Sequence, residues 1–189
     1  QMISFYKDYN YEIRMDYSQA DRQTELRLRA VSGVKDTMLL CDTGQIEIVG
    51  TKYKLGVLEG IDRSKFPEFI RIDYPDQARL LNLYEKLDTG RYILLSYALK
   101  DNLQVEKGDR LVLKLPRGNM EYEILDFFNS IRGSDGSHAL ISRKYLQMDL
   151  EQSTANTILI KTSDDPQKVE QAIKEKFRET SFSIMTVQE

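Results

Sequence analysis

The stretch Tyr92–Leu115, YILLSYALKDNLQVEKGDRLVLKL, constrains the fold most. Tyr92-Ile93-Leu94-Leu95 is a short apolar run that reads as a strand. A polar–apolar segment through Leu99, Leu103 and Val105 follows. Gly108-Asp109 then supplies a turn, and Leu111, Leu113 and Leu115 alternate as a second strand with one apolar face. A chain built on this stretch reads as a two-layer domain, with one half preceding the stretch and the other half at the chain's end.

The two flanks resemble each other. Tyr11, Ile13, Met15 and Tyr17 alternate with Glu12, Arg14 and Asp16, which predicts a half-buried strand over residues 9–18. Ser18, with Asp21 three residues on, opens a helix whose inward stripe is Ala20, Thr24, Leu28 and Val31. Gly33 stops it, and Met38-Leu39-Leu40-Cys41 is the next strand. In the tail, residues 157–162 form a strand and Asp165-Pro166 opens a helix, as an N-cap followed by proline at the first helical position. Val169, Ala172, Ile173 and Phe177 are its expected stripe, and Phe182 and Ile184 lie in a closing strand. From Tyr17 to Met38 is 21 positions and from Thr162 to Phe182 is 20. The match reads as a degenerate repeat of two strand–helix–strand units. Such units pair into one sheet with both helices on one face, the ferredoxin-like arrangement.

Between the flanks the chain is rich in strands. Residues 45–49 and 53–58 alternate around Gly50-Thr51 as a hairpin, residues 61–72 look irregular around Pro67, and a helix runs from Tyr74-Pro75-Asp76 to Gly90. A turn at Pro116-Arg117-Gly118-Asn119 leads into a strand over 121–128. After the Gly/Ser-rich stretch 133–137 come a strand at 139–142 and a short helix at 143–150. The expected architecture is α+β: a porter-like domain of residues 1–60 and 151–189, with a β-rich, barrel- or sandwich-like subdomain of residues 61–150 inserted into it.

Composition narrows the chemistry. With 27 basic and 30 acidic residues the net charge is −3, the wrong balance for a nucleic-acid groove. Cys41 and His138 are the only residues of their types, too few for a zinc site. Nucleophilic catalysis of the Ser-His or Cys-His kind rests on His138 alone, and its Gly/Ser-rich surroundings predict an exposed loop residue. Asp62, Asp73, Asp76, Asp109 and Asp135 show no spacing that pairs two of them across a cleft. Cys41 has no internal disulfide partner. No apolar run reaches the 18–20 or so residues that cross a bilayer. The chain opens on Gln1 and not Met, and is expected to be a piece of a longer protein or one processed at its N-terminus.

Some groups invite a binding role but have a plainer one. Tyr6, Tyr9, Tyr11 and Tyr17 fit strand packing better than a stacking platform. Arg22, Arg27 and Arg29 fit a solvated helix face interleaved with Asp21 and Glu25 better than a lipid-headgroup site. Met15, Met38, Met120, Met148 and Met185 are scattered, as core filler would be.

The run from Gly90 through Ser96-Tyr97-Ala98-Leu99 to Gly108-Asp109-Arg110-Leu111 resembles the MacB-like periplasmic core domain carried by FtsX-like permeases of ABC transporters. Val57-Leu58-Glu59-Gly60-Ile61-Asp62 resembles that family's strand ending in Gly-x-Asp, and the tail from Asn156 through Asp164-Asp165-Pro166 to Phe177 resembles its closing strand, turn and helix. Gly108 and Asp109 are the family-signature structural residues. The resemblance implies a non-catalytic domain on the extracytoplasmic side of the cell membrane, held between transmembrane helices and coupling their movement to a substrate or partner. It implies no cofactor here, ATP being handled by a separate cytoplasmic ABC ATPase; no GxxxxGK[ST] loop is present. Further partners would be a second permease copy, a peptide, lipid or lipoprotein substrate, or an extracytoplasmic protein. The loop residues Arg117, Gly118, Asn119, Arg132, Ser134 and Asp135 are the expected contact points. The alternative is an extracytoplasmic protein–protein adaptor without a transport role.

Overall fold

The structure, a computed structural model, describes residues 9–133 and 135–187; Tyr6 and Ser134 lie outside the described residues. The chain forms two compact units. The first holds the described residues up to Leu40, residues 65–71 and those from Thr154 onward; the second holds 41–64 and 72–153. The sequence places its boundaries instead at 60/61 and 150/151.

The first unit contains β1 (Ile13–Ala20), α1 (Arg22–Arg29), the start of β2 (Val34–Thr43), α2 (Phe66–Phe69), β10 (Ala155–Thr162), α6 (Pro166–Lys176) and β11 (Ser183–Thr186). Its strands lie in the order β11-β1-β10-β2, each antiparallel to its neighbour. The strands of the two strand–helix–strand units thus interleave, as the repeat implies. The tail helix is capped as read, but α1 starts later than read: Ser18 and Ala20 lie in β1, and Asp21, not Ser18, is the N-cap. Asp21 accepts from Thr24 N–H while Thr24 Oγ1 takes the N–H of Asp21, closing a capping box; Asp165 accepts from Gln167 N–H with Pro166 at the first helical position. Leu28, Val31, Val169, Ile173 and Phe177 share one core with Ile13, Met15, Ile158 and Ile160, which puts both helices on one sheet face. Ala172, expected inward, is exposed, because at three positions past Val169 it falls off the narrow stripe made by Val169, Ile173 and Phe177. Phe66, Phe69 and Ile70, in a stretch that reads as irregular, are buried.

The second unit takes up β2 from Cys41 and adds β3 (Ile46–Glu47), β4 (Lys54–Leu55), β5 (Val57–Ile61), α3 (Gln77–Leu87), β6 (Tyr92–Ser96), α4 (Tyr97–Leu103), β7 (Arg110–Leu115), β8 (Gly118–Phe128), β9 (His138–Ser142) and α5 (Arg143–Leu150). Its order is β5-β9-β6-β8-β7, with β5/β9 and β6/β8 parallel and the other pairs antiparallel. The β3–β4 hairpin forms a separate two-stranded sheet, and Ile48 just after β3 bridges Leu113 of β7. Ile46, Ile48, Leu58, Ile93, Leu95, Leu111, Leu113, Tyr122, Ala139, Ile141 and Leu146 fill the interior. α3, with Leu80, Tyr84 and Leu87 buried, packs against β6 and β9 on the other face. Both faces of β9 are therefore covered, and all five of its residues are buried.

Candidate functional site

The first place where the chain's arrangement bears on function is the end of the first unit where β1 begins and β11 finishes. Ile13 pairs with Thr186 and Met15 with Ile184, and Val187 N–H donates to Glu12 O at 2.7 Å. The entering and leaving chain leads therefore emerge side by side. Glu12 also ties this end to β10, its Oε1 accepting from Thr162 N–H at 3.1 Å. The arginines of α1 are engaged and not merely solvated. Arg27 lies 4.2 Å over the Phe177 ring, Arg29 donates to Thr37 Oγ1 and Asp36 Oδ1 at 3.0 Å each, and Glu25 is buried, accepting from Thr37 Oγ1 at 2.7 Å. Met15 and Met38 are core residues, whereas Met148 and Met185 are exposed.

The second place is the loop 129–137 of the second unit. His138, expected to be exposed, is buried in β9. The parallel register sets Val57 opposite His138, which carries the imidazole inward beside Glu59 and edge-on to Phe128 at 5.1 Å. Its Nε2 meets Glu59 Oε1 at 2.5 Å and its Nδ1 meets Ser130 Oγ at 2.8 Å. Arg132 N–H donates to Ser130 Oγ at 3.0 Å, and its guanidinium lies 2.6 Å from Glu59 Oε1. Arg132 thus closes a ring, bonding to Ser130 through its backbone and to Glu59 through its side chain. Burial alone would push the Glu59 carboxyl up; the Arg132 charge and the His138 hydrogen bond outweigh it and hold the group at about 2. Glu59 is accordingly ionised and acts as an acceptor toward both Arg132 and the His138 ring. A Ser–His–Glu sequence of contacts exists, with Arg132 paired to Glu59 and its backbone amide seated on Ser130 Oγ.

Other bonds fix the same loop. Ser96 Oγ donates to Gly136 O at 2.6 Å, and Ser137 accepts from Gly56 N–H through Oγ and from Val57 N–H through its carbonyl. Asp135 accepts from Ser137 N–H at 3.1 Å, and the Ser137 bonds hold its carboxyl below the usual range. Ile131 stands out of this frame, 67% exposed.

Of the expected contact residues, Arg132 turns inward to Glu59, Asp135 stays exposed, and Ser134 is outside the described residues. Arg117 and Asn119 are exposed in the β7–β8 turn, where Gly118 has φ +141° and Arg117 N–H donates to Asp149 O at 3.0 Å. The structure does not bring the two groups together. One stands at the start of β8 and the other follows its end, and the strand's 11 residues span roughly 30 Å at strand spacing. Gly108 and Asp109 form a tight turn: Gly108 (φ +91°) donates to Ile124 O, and Asp109 Oδ2 accepts from Glu106 N–H at 2.8 Å. Asp62 and Asp88, far apart in sequence, line one open cleft of about 530 Å3 with Ser142, Arg143 and Lys144. There Asp88 accepts from Ser142 Oγ at 2.6 Å and pairs with Arg63, and Asp62 pairs with Arg143.

No family model and no curated protein matches the sequence. Solved structures do match the fold. The periplasmic region of MacB from Actinobacillus actinomycetemcomitans superposes with a TM-score of 0.56 at 11% identity, covering 98% of this chain and 94% of that one. The chain has the fold of a MacB-like periplasmic core domain. The same MacB-like fold is found in the extracellular domain of the noncanonic ABC-type transporter YknZ from Gram-positive bacteria, with a TM-score of 0.58, 14% identity and coverage of 94% and 100%. It is also found in a domain of a putative permease protein from Porphyromonas gingivalis, with a TM-score of 0.52, 12% identity and coverage of 93% and 86%. Among the described residues no helix is long and apolar enough to cross a membrane.

Proposed function

We propose that this chain is a non-catalytic extracytoplasmic domain of an ABC transporter permease, tethered at both ends to membrane-spanning segments and moved by a cytoplasmic ABC ATPase acting through them. The observation that carries this reading is the pairing of Ile13 with Thr186 and of Glu12 with Val187. A domain inserted between two membrane helices needs adjacent leads, and here they are joined by backbone hydrogen bonds, so a shift of the tethers moves the sheet as a body. The fold shared with the MacB and YknZ domains supports the same reading. The loop residues Arg117, Gly118 and Asn119 and the loop of Arg132 and Asp135 serve as two separate contact points for a substrate, a second permease copy or an extracytoplasmic protein.

The test uses the full-length membrane protein with its ATPase in spheroplasts. Single cysteines replace Asn119 or Asp135. Both are expected to react with a membrane-impermeant maleimide without permeabilisation, at rates that differ between the ATP-bound and nucleotide-free states. Labelling only after lysis overturns the location, and equal rates in the two states overturn the coupling.

A further inference from the structure

Residues 65–71 pack with the first unit, while the chain on either side of them, through Ser64 and from Ile72, belongs to the second. α2 within this segment is a single turn, and Lys65 at its N-cap makes no capping bond. Such a turn has no stability of its own; what holds it lies outside it. Phe66 and Phe69 are fully buried. Lys65 Nζ donates to Asp36 Oδ1 at 2.9 Å and to Thr37 O at 2.7 Å. Lys161 Nζ donates to Glu68 O at 2.8 Å and lies 4.6 Å over the Phe69 ring. Further bonds come from the entry lead. Asn10 N–H donates to Phe69 O at 2.8 Å, Asn10 Nδ2 donates to Glu68 O at 3.1 Å, and Tyr9 bridges Ile70.

We propose that residues 65–71 are a clasp fastened by the entry lead: drawing Tyr9 and Asn10 away removes their bonds to Glu68, Phe69 and Ile70 and loosens the segment, left to Lys65 and Lys161, while the sheet stays intact. The order of yielding follows from the number of bonds in each place. An isolated bridge opens one bond at a time, whereas β1 holds five paired positions against β10 and four against β11, so the lead and clasp form the low-stability end of the unit. The tethered reading supplies the pull; the clasp itself belongs to the chain alone.

Amide hydrogen exchange on the 189-residue chain tests it. Asn10→Pro deletes both the amide and the side-chain donor. Lys161→Met removes the ammonium and keeps an apolar stem against Phe69. Each lost bond is expected to speed exchange at residues 66–71 about fivefold or more, with Ile158, Leu159 and Ile160 of β10 unchanged. A Tyr9→Cys/Ile70→Cys pair, at the spacing of a paired antiparallel position, is expected to slow exchange below wild type when oxidised and to return it on reduction. Unchanged exchange at 66–71 in Asn10→Pro overturns the clasp whatever Lys161→Met shows, and so does loss of protection there together with β1 and β10. This result is independent of any membrane, so its failure counts against the clasp alone, and failure of the maleimide test counts against the tether alone.

Discussion

Arg132 Nη1 lies 2.6 Å from Glu59 Oε1, and the carboxylate it meets has no exposure to solvent. Removing the guanidinium strands a buried charge. Arg132→Ala is therefore expected to destabilise the chain by about 3–5 kcal/mol in urea denaturation, and adding Glu59→Gln is expected to recover part of the loss. The effect on pH follows from the direction of the shift. Glu59 is held at about 2, below the ~4.3 of an unfolded glutamate. Its contribution is complete above the unfolded value and is lost as pH falls through that value toward about 2. Acid titration of stability is expected to show this loss in the native chain and a smaller one in Arg132→Met. An equal loss in both would show that the pair does not set the acid response.

Asp149 anchors the end of α5 in a comparable way. Arg91 donates to both its oxygens, at 2.9 and 2.6 Å, and Tyr122 Oη donates to Oδ2 at 2.5 Å. Burial, followed by the Asp149 bond, pushes the Tyr122 phenol far up, so that hydroxyl needs its acceptor at every ordinary pH. Asp149→Ala leaves two donors without it and is expected to cost about 3–5 kcal/mol. Tyr122→Phe loses one hydrogen bond and is expected to cost about 1–2 kcal/mol. Equal midpoints in guanidinium denaturation for the two variants would contradict this ranking.

Cys41 is fully buried; burial first, and the neighbouring Asp42 charge second, push its thiol up to about 12. Neither access nor thiolate character favours reaction. The folded chain is expected to leave a colorimetric thiol reagent unreacted at pH 8 and to react at the rate of its unfolding once urea is added. Prompt reaction in native buffer would mean that the end of β2 opens locally.

Much of the first unit was legible because its signals are local. Asp165 with Pro166, and Gly33, each act within a few residues, and the stripe Leu28, Val31, Val169, Ile173 and Phe177 follows the helical period, whereas the start of α1 reads as Ser18 although β1 runs on to Ala20 before Asp21 caps the helix. The helix at 143–150 was legible for the same reason. α4 was not: it has seven residues, and Ser96 before it makes no capping bond. The ring of Glu59, Ser130, Arg132 and His138 was hidden because 79 positions separate Glu59 from His138. Only the pairing of β5 with β9 joins them. His138 looked exposed because glycine and serine precede it, yet it is the first residue of a strand buried on both faces. The clasp at 65–71 was hidden in the same way, since its partners Asn10 and Lys161 lie at the two ends of the chain.

Gly33 carries the sharpest steric test. It follows α1 with φ +91°, the region glycine enters without penalty, and its carbonyl accepts from Ser163 N–H at 2.8 Å. A Cβ there would stand 2.6 Å from Val169 Cγ2 and 3.3 Å from Asp164 Cβ. Gly33→Ala therefore meets two costs, a backbone strain of roughly 1 kcal/mol or more and an overpacking cost of about 1–3 kcal/mol. Val169→Ala removes the clashing methyl groups at the expense of a cavity. The double variant is expected to be more stable than the sum of the two single losses by about 1 kcal/mol or more, because only the overpacking is shared between the sites. Strict additivity in a double-mutant cycle of thermal denaturation would mean that the two strand–helix–strand units do not meet at Gly33 and Val169.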